Sequence, residues 1–244
     1  MTKKGISQRS EGVSKSFMGN SRFKYIYRGF KDALVLIPGW ATDYRIFSSL
    51  DLNYNYLLPV KFNLLDFKKK LREELERNCL NKVSIFGYSL GGFLAGEFFK
   101  DNPERINKLI LVSIRKKYNP VLLEEIAIKL KKNKKAYLYK FYLNCFSDKD
   151  KIGVSWFKEE LLKDYLDAMT LPELLRGLEY LSGAELQMGA LKTFKKLTII
   201  HGKDDIVAPF REAVEIKSEL PQVEFIGLPD SGHIPFLSRK FEYL

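Results

Sequence analysis

The chain has 244 residues, 45% of them hydrophobic, and a formal net charge of +11. That is enough apolar material for one sizeable core, and no run approaches the roughly 18 consecutive apolar residues of a membrane-spanning helix. The opening residues Met1–Ser10 lack the apolar stretch of a secretory leader, so a cytoplasmic protein is expected. The positive charge favours phosphates, anionic membranes or acidic proteins as partners. Zinc-finger spacing, an RNA-recognition signature and a basic region leading into heptads are all missing, so nucleic acid is not an expected partner. The two cysteines, Cys79 and Cys145, lie in amphipathic segments without metal-ligand spacing and read as buried free thiols.

Residues 1–20 are rich in Ser, Lys and Gly and read as a loose extension, leaving 21–244 as the folded domain. Arg22–Arg28 alternates as a half-exposed strand does, and Ala33–Ile37 is a continuous apolar run suited to the middle of a sheet. Leu64, Phe67, Leu71 and Leu75 then recur at helical spacing before the next apolar run, Val83–Phe86. Further runs at Leu109–Val112, Leu197–Ile200 and Val223–Ile226, with helical patterns over 91–100 and 210–219, predict a mostly parallel sheet covered by helices on both faces. Between Val112 and Leu197 only helical patterns occur, which predicts an all-helical insertion, a lid over about 115–190. Pro172 suits the first turn of its last long helix, where a missing N–H costs nothing.

The strongest chemical signal is Gly87-Tyr88-Ser89-Leu90-Gly91-Gly92, directly after a strand pattern and directly before a helical one. Small residues at 87 and 91 allow a sharp strand-to-helix turn that holds Ser89 in strained geometry with its hydroxyl in a cleft. A serine hydroxyl needs a base, and the chain has two histidines, His201 and His233. His233 follows the last strand and stands at the same sheet edge as Ser89, whereas His201 ends its own strand and reads as a structural residue. Gly202-Lys203-Asp204-Asp205 offers two carboxylates to orient the base, and either completes the chain order Ser, Asp, His. Backbone N–H groups for a developing oxyanion are expected from Leu90, next to the nucleophile, and from Trp40, where Ile37-Pro38-Gly39-Trp40 leaves a strand. No cofactor or metal is called for by this chemistry.

These positions resemble the α/β-hydrolase superfamily over nearly all of 22–244. Within it, Leu36–Trp40, Gly87–Gly92, Gly177–Leu181 and Gly232–Phe236 resemble the pimeloyl-[acyl-carrier-protein] methyl ester esterases. The resemblance implies an α/β-hydrolase fold and a serine carboxylesterase that removes the methyl ester capping a carrier-bound pimeloyl chain in biotin synthesis. It selects Asp205, three residues after its glycine, over Asp204 as the acid, and implies substrate contacts at Trp40, Leu90, Phe141, Tyr142, Cys145 and His233. Two positions depart from the family pattern: Pro38 stands where histidine is frequent, and Phe141–Cys145 lacks a glutamine. From Arg115 to Lys140 nine Lys or Arg stand against two Glu, which suits an acidic carrier protein meeting a monomeric enzyme, and equally suits a merely solvated helix face. A broad carboxylesterase or acyl thioesterase shares the same triad, and a non-catalytic ligand-binding protein shares the same fold. Dehalogenases and epoxide hydrolases use Asp where this chain has Ser89.

Overall fold

The computed structural model describes residues 22–60 and 63–237; the extension expected over 1–20 lies outside them. Seven strands form one sheet: β1 (Phe23–Ile26), β2 (Ala33–Ile37), β3 (Asn55–Pro59), β4 (Val83–Tyr88), β5 (Ile106–Val112), β6 (Leu197–Gly202) and β7 (Glu224–Leu228). They lie in the order β1-β3-β2-β4-β5-β6-β7. β1 runs antiparallel to β3 at the edge, and every other neighbouring pair is parallel. The continuous apolar runs of β2 and β4 are buried throughout because both faces of a parallel sheet are covered. β3 escapes the periodicity reading: Asn-Tyr-Leu-Leu-Pro contains only two aliphatic residues and ends in proline, yet all five positions are buried between β1 and β2.

Helices alternate with the strands as expected. α1 (Phe67–Arg77) buries Phe67, Leu71 and Leu75, the stripe visible in the sequence. α2 (Leu90–Asp101) follows β4 directly and is buried along most of its length. Cys79, just beyond the end of α1, adopts φ 54° and is exposed, so only Cys145 of the two thiols is buried. The period of the α1 stripe ends at Leu75, and the chain turns sharply before Cys79 could rejoin it.

Between β5 and β6 the chain forms α3 (Pro120–Lys132), α4 (Lys134–Asn144), α5 (Lys151–Phe157), α6 (Lys163–Ala168), α7 (Leu171–Gly183) and the short α8 (Met188–Leu191). α7 starts at a capping box in which Thr170 and Glu173 satisfy each other's backbone N–H, with Pro172 in the first turn. The two legs of this insertion are joined: Lys117 bridges Glu185 in antiparallel fashion, and Leu186 N–H donates to Lys116 C=O at 2.8 Å. Arg115 adds a two-pronged contact to Glu212, at 2.8 and 2.5 Å, on α9 (Phe210–Glu219) after β6. No helix among the described residues is long and apolar enough to cross a membrane.

Parallel order carries the functional consequence, because the chain leaves β2, β4, β5, β6 and β7 at one edge of the sheet. An aromatic cluster supports that edge from below: fully buried Phe86 of β4 lies 5.7 Å from Phe47 and 5.6 Å from Phe236, which follows β7. Phe86→Ala should cost about 3–5 kcal/mol in urea denaturation, the usual penalty for emptying an aromatic core site. A loss below about 1 kcal/mol would mean the cluster is not a close-packed support.

Candidate active site

β4 ends at Tyr88 and α2 begins at Leu90, leaving Ser89 alone to reverse the chain. Its backbone sits at φ 51°, ψ −114°, a region costing of order 1–3 kcal/mol for a residue with a side chain. Surrounding bonds hold it there: Ser89 N–H donates to Val112 C=O at 2.9 Å, and Gly92 N–H to Ser89 C=O at 2.8 Å. A side chain at Gly91 would collide with Ile37 C=O and sit 2.7 Å from Pro38 C=O, so this turn can pass close to the β2 exit only with glycine. Ser89 is consequently fixed, with 5% of its surface exposed.

His233 Nε2 lies 2.9 Å from Ser89 Oγ, and His233 Nδ1 lies 2.8 Å from Asp205 Oδ2. With Nδ1–H donating to the carboxylate, Nε2 is left as the acceptor of the serine proton. The other oxygen of Asp205 accepts the N–H groups of Val207 and Ala208 at 2.9 and 2.8 Å. Burial alone would push this carboxyl up, but the charge of His233 and the hydrogen bonds from His201 and His233 outweigh it, holding Asp205 well below the usual carboxylate range. It therefore remains ionised at neutral pH.

Leu90 opens α2, so its N–H has no acceptor one turn earlier in the helix and faces the Ser89 turn. The β2 exit loop runs alongside: a Cβ placed on Gly39 would stand 3.2 Å from Ser89 Cβ. Trp40 and Ala41 follow, Ala41 at φ 58°. This loop is sewn to the helical insertion. Trp40 Nε1–H donates to Leu174 C=O of α7 at 2.9 Å, and Phe141 of α4 packs edge-on against the indole at 4.9 Å. Gly177 lets α7 approach, since a Cβ there would lie 2.5 Å from the Trp40 ring. Tyr142 Oη–H donates to Ala41 C=O at 2.6 Å. The same helix end grips the histidine loop, for Cys145 C=O accepts from His233 N–H at 2.7 Å and from Ile234 N–H at 3.2 Å.

The sequence-selected Ser89, Asp205 and His233 thus form one hydrogen-bonded chain, with Leu90 and Trp40 beside it. Phe141 stands against Trp40 in partial exposure, whereas Tyr142 and Cys145 are buried, and burial pushes the Cys145 thiol well above its ordinary value. Asp204 takes a different partner, accepting from Ser147 Oγ–H at 2.7 Å. Tyr118 was not singled out by sequence. Its ring packs 6.0 Å from Phe93 of α2, and burial pushes its phenol up to about 12 despite a hydrogen bond with Ser89. The only sequence signal for it is an aromatic residue shortly after a strand at the active edge. Among the described residues no cluster of His, Cys, Asp or Glu could hold a metal ion.

Sheet order, strained serine turn and convergent loops are those of the α/β-hydrolase fold, and a family model described as alpha/beta hydrolase fold matches residues 57–165. The chain has the α/β-hydrolase fold and is a hydrolase. Among curated proteins it is similar to the pimeloyl-[acyl-carrier protein] methyl ester esterase of Nitrosomonas europaea, 26% identical over 186 residues covering 71% of this chain and 73% of the relative. The Aliivibrio fischeri esterase of the same name is 22% identical over 239 residues, covering 86% and 90% of the two chains. Among solved structures, an esterase from Exiguobacterium antarcticum superposes with a TM-score of 0.73 at 17% identity, over 86% of this chain and 87% of that one.

Because Tyr142 secures the carbonyl next to Trp40, Tyr142→Phe should lower kcat of ester hydrolysis several-fold while leaving KM within about twofold. It should also cost about 1–3 kcal/mol of stability through the unpaired Ala41 carbonyl. Steady-state kinetics beside urea melts check both, and an unchanged kcat would separate this bond from the oxyanion loop's function.

Proposed function

We propose that the chain is a serine carboxylesterase that hydrolyses the methyl ester of a pimeloyl group carried on acyl-carrier protein. The observation that carries the reaction class is the unbroken chain Ser89 Oγ to His233 Nε2 at 2.9 Å and His233 Nδ1 to Asp205 Oδ2 at 2.8 Å. The substrate rests on the printed activity of the curated relatives and on a basic face of the insertion. Along α3 and α4 Lys129, Lys131, Lys132, Lys135 and Lys140 are exposed with Val121, Ile128 and Tyr139, Lys129 pairing with Glu125 and Lys135 with Asp167. Such a surface attracts an acidic carrier and gives it apolar contact.

In this reading Ser89 Oγ attacks the ester carbonyl as its proton passes to His233 Nε2. The tetrahedral oxyanion accepts hydrogen bonds from the N–H groups of Leu90 and Trp40, which strengthen as charge develops. The intermediate collapses, His233 returns the proton to the departing methoxide, and methanol leaves an acyl group on Ser89. Water, deprotonated by His233, then attacks that acyl group and releases the free carboxylate with Ser89 restored. Asp205 stays ionised throughout and stabilises the imidazolium formed in each half-reaction. The helical insertion serves as the lid over this site, and the enzyme acts as a cytoplasmic monomer without metal or cofactor.

Turnover of carrier-borne pimeloyl methyl ester should exceed that of free dimethyl pimelate and short p-nitrophenyl esters in kcat/KM. The advantage should shrink between about 50 and 500 mM salt as screening removes the carrier's attraction. Equal kcat/KM on free and carrier-borne esters at every salt concentration would reduce the protein to a general carboxylesterase. Ser89→Ala should abolish all of these activities.

A further inference from the structure

We infer that His201 is a positioning residue for the Asp205–His233 pair, sharing with His233 the same carboxylate oxygen. The inference rests on the triad reading above and extends it to the second histidine of the chain. His201 lies in β6, four residues before Asp205, and is completely buried. Its Nε2 stands 2.7 Å from Ala208 C=O and 3.2 Å from Asp205 Oδ2. Both neighbours are acceptors, so Nε2 carries a proton, hydrogen-bonded to Ala208 C=O with the Asp205 oxygen in close polar contact beside it. Nδ1 is buried with no hydrogen-bond partner among the described residues, so a second proton there would leave a charged donor unsatisfied. The geometry therefore assigns a proton to Nε2 of His201.

Asp205 then accepts three hydrogen bonds, from the N–H groups of Val207 and Ala208 on Oδ1 and from His233 on Oδ2, and has the His201 N–H 3.2 Å from Oδ2. A carboxylate offers about four acceptor positions, and His201 stands at the last. Two consequences follow. The carboxylate plane cannot rotate away from His233 without breaking bonds on both oxygens. The His201 donor also withdraws negative charge from the oxygen that faces His233, moderating the pull of Asp205 on the imidazolium proton.

The other groups around the pair are accounted for. Tyr88 from β4, its ring 5.3 Å from His233, Tyr118 after β5 and Cys145 of α4 all bear on Asp205 electrostatically, and burial keeps all three protonated. Ser89 occupies His233 Nε2, while Phe210 of α9 stands with its ring 6.0 Å from that of His201. His201 is therefore a second imidazole N–H beside the carboxylate, through which Asp205 can be adjusted.

The test compares wild type with His201→Phe, which keeps a ring but removes the donor, and His201→Gln, which returns an amide donor near the Nε2 position. The pH profile of kcat/KM is measured on a p-nitrophenyl ester, with KM and thermal melts in parallel. Removing the donor should raise the acid limb of the profile by on the order of half a pH unit, because the carboxylate then holds the imidazolium proton more tightly. It should lower kcat about tenfold with KM within about twofold, as loosened orientation of the base predicts. Glutamine should bring the limb back towards the wild-type position. An unmoved limb in a folded His201→Phe protein, with activity tracking only the melting temperature, would overturn the inference.

Should the phenylalanine variant not fold, imidazole 15N spectra of the unaltered protein decide, since the chain contains only two histidines. The ring of His201 should carry its proton on Nε2 and that of His233 its proton on Nδ1. A proton on His201 Nδ1 would overturn the assignment. Retention of turnover by Ser89→Ala would instead contradict the triad reading, leaving the tautomer of His201 as a separate result.

Discussion

A carboxylate removed from water persists in its charged form only where its acceptor positions are filled and a complementary charge can form beside it. Asp205 meets both conditions with bonds from three directions: the turn after β6, the β6 strand itself through His201, and the loop after β7 through His233. Breaking any one leaves the others carrying a buried charge with an empty acceptor site. The orientation of His233, and through it the 2.9 Å contact with Ser89, depends on this arrangement. Parallel strand order makes it possible, because β4, β6 and β7 deliver Ser89, Asp205 and His233 to the same edge.

The helical insertion is tied to that edge. Tyr142 and Cys145, three residues apart on the end of α4, hold the loop carrying Trp40 and the loop carrying His233. α7 adds the bond from Leu174 to the Trp40 indole, and α6 brings Tyr165 within 3.2 Å of Asp43 on the same loop. Both active-site loops outside the serine turn are thus fastened to the insertion, whose own legs are joined at Lys117 and Glu185. A shift of the insertion at α4 would break the bonds to Ala41, His233 and Ile234 and so disturb both loops.

Much of this was legible in the residue pattern, for definite physical reasons. Buried parallel strands read as continuous aliphatic runs, so β2, β4, β5 and β6 stand out, as does the stripe of α1. The Ser89 turn was visible because its strain and close approach demand glycine nearby, which leaves a mark in sequence. β3 left no such mark, since its burial comes from neighbours on either side rather than from its own composition. Cys79 read as part of an amphipathic stripe, but the left-handed turn after α1 turns it outward. The contacts of His201, Tyr118 and Tyr142 depend on where the loops and the insertion come to rest. No one-dimensional spacing encodes that placement.

The most direct test of the account is the rate and position of covalent labelling by a fluorophosphonate, read by intact mass and peptide mapping. A single adduct on Ser89 is predicted, forming at least a hundredfold more slowly in Asp205→Asn because the base is then held in the wrong tautomer. An adduct on another residue, or a rate indifferent to Asp205, would contradict the hydrogen-bonded chain from carboxylate to serine as the source of reactivity.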